Sequence, residues 1–153
     1  MNDLTTTQNR IPAMTDEAVA KVYALEAYTT QMPQIRIDTE HVLHAGVYAR
    51  TIAIPAGVLL TGALIKCATI LIVYGDVCVY IDGEAHNMTG YNVLAASAHR
   101  KQAFVAKSDT YLTMIFASKA DSVARAEEEF TDEPHLLMSR ADGAINSTMI
   151  TGE

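Results

Sequence analysis

The side chains able to do chemistry are few and scattered in this chain of 153 residues: five histidines, two cysteines and one run of adjacent cations. That run, His99, Arg100 and Lys101, could hold a phosphate or a carboxylate at the mouth of a barrel. A solvated loop, or a salt bridge to the acidic C-terminal segment, is the plainer use of the same residues. His44 is the next candidate. It follows His41 at i, i+3, a spacing that could bring two imidazoles together at a strand entrance as part of a metal or acid–base site. The plainer role is again structural, as exposed or hydrogen-bonded histidines. His86 follows the Asp82-Gly83 turn in a polar segment and reads as exposed. Tyr48, Arg50, Lys66 and Tyr74 would line a polar pocket only if their strands turned them inward, and alternation sends Lys66 outward. Between Gly57 and Gly75 there is no His, Asp or Glu at all.

The elements that position these residues fall into three stretches. Residues 1–33 are a polar arm followed by a short helix: Thr15 can cap it, Asp16 and Glu17 suit its first turn, and Val19, Val22, Tyr23 and Glu26 form one stripe. Met14 and Val19 are placed for a hydrophobic staple. Residues 34–118 read as eight short strands, a number that suits a jelly roll. They are Gln34–Asp38, Val47–Ile54, Leu64–Tyr74, Val77–Ile81, a piece around Ala85–Met88, Val93–Ala95, Gln102–Ala106 and Tyr111–Ala117. Turns are expected at Pro55-Ala56-Gly57, Gly75-Asp76, Asp82-Gly83, Gly90 and Ser108-Asp109. Residues 119–153 hold a second helix, Asp121–Phe130, with Val123, Ala126 and Phe130 on one side and Glu127, Glu128 and Glu129 as its solvated face. The remainder is a tail, either flexible or ordered on a partner.

The strand Leu64–Tyr74 is apolar on both faces, which calls for a cover on each. One cover is the barrel's own core. The other is a helix or arm of the same chain, such as the helix over residues 14–27, or a second subunit, in which case Leu64, Ile70, Ile72 and Tyr74 are the candidate oligomer interface. A hairpin turn at Gly75-Asp76 would set Cys67 opposite Glu84 rather than Cys78, and the two cysteines read as buried reduced thiols.

Composition narrows the function classes. Half of the residues are hydrophobic, enough for a real core, and no apolar run approaches the roughly 20 residues of a membrane-spanning helix. No secretory signal pattern opens the chain, so folding in a cytoplasm is the expectation. Residues 1–119 carry nine Lys/Arg against ten Asp/Glu, and residues 120–153 carry two against eight, so nearly all of the net charge of −7 belongs to the tail. A neutral body with an acidic end argues against a nucleic-acid partner, and nothing calls for a membrane partner.

In order and spacing, Ile54-Pro55-Ala56-Gly57, Leu60-Thr61-Gly62, Gly75-Asp76, Gly90-Tyr91, Arg100-Lys101-Gln102-Ala103 and Asp109-Thr110 resemble a cupin. More narrowly they are similar to the small cupin-like proteins of tailed bacteriophages. The resemblance spans residues 42–118 and implies a mainly β fold: a double-stranded β-helix, or jelly-roll barrel, flanked by an N-terminal helix, a C-terminal helix and terminal arms. Metal-using cupins carry three imidazoles and one carboxylate in two motifs, G-x5-H-x-H-x3,4-E-x6-G and G-x5-P-x-G-x2-H-x3-N. Laid on Gly57, the first would put its histidines at Ala63 and Ile65. Past Gly90 the second meets Ala96 and Ala98 where Pro and Gly belong. The expectation is therefore no metal and no cofactor, which removes the main warrant for enzyme activity.

The resemblance implies a non-enzymatic building block: a capsid or tail accessory component that forms homo-oligomers. It would touch other virion proteins through its N- and C-terminal arms and would be located in the virion or the host cytoplasm. The alternative is a metal-free cupin that binds a small molecule, carbohydrate or nucleotide-like, or isomerises it, in the barrel cavity.

Overall fold

The computed structural model describes residues 9–81 and 83–153. Most of the N-terminal arm, and Asp82 of the Asp82-Gly83 turn, lie outside the described residues. Arg10–Ile11 (β1) pairs in parallel with the edge of the sheet, Arg10 opposite Ala95. The first helix, α1, runs Asp16–Thr29. Thr15 Oγ1 accepts the Ala18 N–H at 3.1 Å, as its position predicts, and Met14, Ala18, Val19 and Val22 form one buried cluster with Tyr23 and Leu64 packed on it. Leu64 is thus covered by α1 within the same chain and does not share an outer face with Ile70.

The strands are Thr39–His44 (β2), Val47–Ile54 (β3), Leu59–Thr61 (β4), Thr69–Ile81 (β5), Glu84–Ala96 (β6), Ala103–Ala106 (β7), Thr110–Ala117 (β8) and Asn146–Ile150 (β9). Their order is β1-β6-β5-β8-β3-β2-β9, with β7 joining β5 and carrying β4. This is the expected mainly β, jelly-roll-like architecture, with several boundaries moved. The second strand lies at Thr39–His44 rather than Gln34–Asp38, because Ala45 and Gly46, at φ +54° and +69°, make the hairpin that pairs Thr39–His44 with Val47–Ile52.

Gly75-Asp76 is not a turn. β5 passes straight through it, pairing β8 over Ile70–Tyr74, β7 over Val77–Tyr80, and β6 along its whole other edge. Gly75 marks a close approach: at φ +148°, a Cβ there would lie 2.5 Å from Thr110 Oγ1 and 2.9 Å from Thr110 Cα. Gly90, paired with Gly75, likewise sits inside β6. With no hairpin at Gly75, Cys78 stands opposite Asn87 and Val105, and both cysteines are free and half-buried.

Alternation then sorts the barrel. Leu71, Val73, Val77 and Val79 of β5 point inward with Phe104, Leu112, Met114 and Phe116, while Ile70 and Tyr74 face out. The C-terminal segment is not a loose tail. The helix α2 (Val123–Phe130), two 3-10 turns at Pro134–Leu136 and Met138–Arg140, and β9 all pack on their own barrel, β9 running parallel to β2. Phe130 and Leu137 enter the main core cluster. Glu127 is not solvated but 2% exposed, because Arg50 and Arg140 from other segments close over it. No helix among the described residues is long and apolar enough to cross a membrane.

Candidate functional site

A cavity of about 600 Å³ opens into one end of the barrel, within the size range of small-molecule sites. Its walls are mostly apolar: Ile52, Leu60, Ile65, Leu71, Phe104, Leu112 and Met114 from the strands, with Phe130 at the α2 end. The rim is built from the end of α1 and the segment that follows it, Thr29 to Ile37, and from Leu136, Leu137 and Met138. Tyr23 fastens the two sides of this rim by donating its hydroxyl to Glu133 Oε1. That bond, with burial and the Glu133 charge, pushes the phenol up to about 12.

Four buried polar side chains on the wall decide what the cavity can hold. Arg100 enters it because the bridge between Ile65 and Arg100 holds the backbone there. Arg100 is 2% exposed, and its guanidinium donates to Ser97 O at 2.6 Å, Thr69 Oγ1 at 2.6 Å and Cys67 O at 3.4 Å. No carboxylate pairs with it among the described residues, and burial lowers its pKa to about 10, which leaves it charged at neutral pH. Lys101 is neutralised instead. Its Nζ lies 3.0 Å from Glu26 Oε2 and 2.8 Å from Gly62 O, over the Tyr23 ring at 4.3 Å. Arg50 is tied to Glu127 at 2.9 Å and Ser139 Oγ at 3.0 Å, above the Phe130 ring. Gln102 also lines the cavity; it is 5% exposed and its amide Nε2 is buried without a hydrogen-bond partner. A buried donor left unpaired costs about 1–3 kcal/mol.

The cationic run therefore splits. Arg100 and Lys101 reach the cavity, while His99, in a left-handed turn at φ +60°, turns to solvent and meets Asp16 Oδ1 at 2.8 Å. His44 is remote from the cavity and lies 2.7 Å from Thr151 Oγ1. It cannot act with His41, because residues three apart on a strand point to opposite faces. His41 points inward: its Nε2 donates to Asn146 Oδ1 at 2.6 Å and its Nδ1 accepts from the Tyr48 hydroxyl at 2.7 Å. The tautomer follows from Asn146, whose amide nitrogen donates to Ser139 O at 2.9 Å. Burial is the main force lowering the His41 pKa. Burial alone would raise Glu127, but hydrogen bonds from Ser139 and Arg140 and the charge of Arg50 outweigh it and hold the carboxyl below its usual range. This network fixes the C-terminal segment to β2 and β3.

The three-imidazole, one-carboxylate set of metal-using cupins does not fit these walls. Ala63 and Ile65, where the first motif would carry histidines, do line the cavity, and both are apolar. Among the described residues no three His, Cys, Asp or Glu side chains converge, and burial raises the Cys67 thiol, which disfavours a thiolate ligand. Gln102 was not among the expected site residues. Its i, i+2 spacing from Arg100, entering the apolar strand β7, was the available signal.

No family model matches this chain, and no curated protein does. Solved structures are similar to it at low identity. The salicylate 1,2-dioxygenase of Pseudaminobacter salicylatoxidans is 13% identical with a TM-score of 0.50, over 76% of this chain and 35% of the dioxygenase. KdgF of a Halomonas species is 20% identical with a TM-score of 0.47, over 60% and 86% of the two chains. The cupin domain of an XRE-family transcriptional regulator from Enterobacter cloacae is 14% identical with a TM-score of 0.45, over 56% and 100%. The likeness concerns the fold alone, a mainly β, jelly-roll-like barrel.

Proposed function

We propose that this chain is a cupin-fold binding protein whose cavity takes a small organic acid without a metal ion. The observation that carries this is the Gln102 amide, buried and unpartnered on the wall of a mostly apolar cavity. An unmet donor in such a place suits a ligand acceptor. Of the three cations on the wall, Arg50 and Lys101 already hold carboxylates, whereas Arg100 has only carbonyl and hydroxyl partners among the described residues. The unpaired charge of Arg100 and the free amide donor match a single carboxylate at their end of the cavity, with the Glu133 carboxylate held apart on the rim by the Tyr23 hydroxyl, and the apolar walls match a hydrocarbon or aromatic body better than a carbohydrate.

Thermal melts with a panel of aliphatic and aromatic monocarboxylates, set against their primary amides and alcohols, test this. The acids are expected to stabilise the protein by about 2.7 kcal/mol at one hundred times Kd, and the uncharged analogues far less. Native mass spectrometry should show one acid per chain. If no acid moves the melt at millimolar concentration, or the alcohols do so equally, the assignment fails.

A second reading, the virion building block implied by the resemblance, has its own observation: an outer sheet face with exposed Tyr74, Tyr91 and Tyr111. Detection of the chain in purified particles would support it, and absence from them would remove it.

A further inference from the structure

Strand register builds an uncharged surface on the outside of the barrel. One row crosses six adjacent strands as Ala95, Ile70, Ile115, Ala49, Val42 and Met149. The next is Val93, Ile72, Thr113 and Thr51, whose two threonine hydroxyls bond each other at 2.8 Å and so need no outside partner. The third is Tyr91, Tyr74 and Tyr111, with ring centroids 6.0 and 6.4 Å apart. The tyrosines are 64%, 56% and 47% exposed, and Ile70 and Val93 are each 49% exposed. None of these outward positions is Asp, Glu, Lys, Arg or His. Acidic residues begin only beyond them, at Glu40 opposite Thr51 and at Asp76 and Asp109, two residues past Tyr74 and two before Tyr111.

We propose that this face is a two-fold interface between two copies of the chain. With aromatic areas of about 150–250 Å² each, the three tyrosines expose roughly 250–420 Å², and Ile70, Val93, Val42 and Met149, at 36–61% exposure, with the smaller outward residues bring the face close to the roughly 800 Å² that each partner contributes to a stable complex. The absence of charge and the abundance of Tyr are the composition of an interface centre. A partner of opposite charge would find nothing to pair with, and a lipid surface or nucleic acid would meet the acidic rim of Glu40, Asp76 and Asp109. A second copy needs no charge match. Two twisted sheets stack face to face about 10 Å apart at about −30°. The cavity opens elsewhere, since none of these outward residues lines it, so the dimer holds whether or not the cavity binds an acid.

Sedimentation between 1 and 100 µM is the test. The expected species is about twice 16.6 kDa, and its formation should strengthen with salt as the like-charged acidic rims are screened. Tyr91→Lys and Ile70→Lys, both surface substitutions, should each give monomers with an unchanged far-UV spectrum, while Glu17→Lys on α1 leaves the dimer intact. Dityrosine crosslinks mapped in the unsubstituted protein should join Tyr74, Tyr91 or Tyr111 between copies. A monomer throughout, crosslinks confined to other tyrosines, or a dimer that survives both lysine variants would overturn the proposal.

Discussion

Replacing Gln102 by Met keeps the length and approximate volume of the side chain but removes the buried amide whose nitrogen has no partner. Leaving such a donor unpaired costs about 1–3 kcal/mol, whereas an apolar group of the same shape carries no such penalty. The ligand-free Gln102→Met protein should therefore be more stable than the parent by about 2 kcal/mol. At about 2–4 °C per kcal/mol for a chain of this size, the melting temperature rises by about 4–8 °C. The same substitution removes a donor from the ligand, so carboxylate stabilisation should fall by a factor of ten or more in Kd, since a hydrogen bond to a charged group is worth about 1.5–3 kcal/mol. The assay is a pair of melts, with and without the best acid of the panel. A stability gain together with a binding loss is the signature of a donor kept for function at a structural cost. An unchanged or lower melting temperature would show that the amide is already satisfied by solvent inside the cavity. Unchanged binding would show that it does not face the ligand.

The network around Glu127 should make the protein acid-sensitive. His41 has a folded pKa below its ordinary 6.5, so its contribution is complete above that pH and is lost as the pH falls through the folded value; Glu127, held below 4.5, acts in the same direction at lower pH. Denaturation midpoints from pH 8 to pH 4 should fall, and His41→Gln should flatten the part of that fall nearest pH 6.5; equal slopes in both proteins would refute the assignment. Gly75→Ala should cost about 2 kcal/mol or more, because the new Cβ would press on the Thr110 backbone at 2.9 Å. Urea unfolding measures it, and a loss under 0.5 kcal/mol would mean that β5 and β8 can separate there without strain.

Local features were legible wherever neighbours in the chain decide them. Strand Val47–Ile54 was read to the residue, Thr15 caps α1 as its position requires, and the lack of metal donors at Ala63 and Ile65 needed only a count of residue types. Alternation also marked Ile70 and Tyr74 as outward apolar positions on β5.

What depended on distant segments was not legible. Gly75-Asp76 has the composition of a turn, and only the approach of Thr110 makes Gly75 a packing position within a long strand. Glu127 belongs to an acidic run that looks solvated until Arg50 and Arg140 surround it. The cavity is space between Ile37, Leu60, Gln102 and Leu137, residues drawn from four separate stretches. The sequence by itself determined which side chains alternate, which helix ends are capped and which ligands are missing, because those follow from backbone period and residue type. The tertiary structure alone decided which charges are buried, where the C-terminal segment lies and what is left unpaired, because desolvation and hydrogen bonding are set by partners far along the chain.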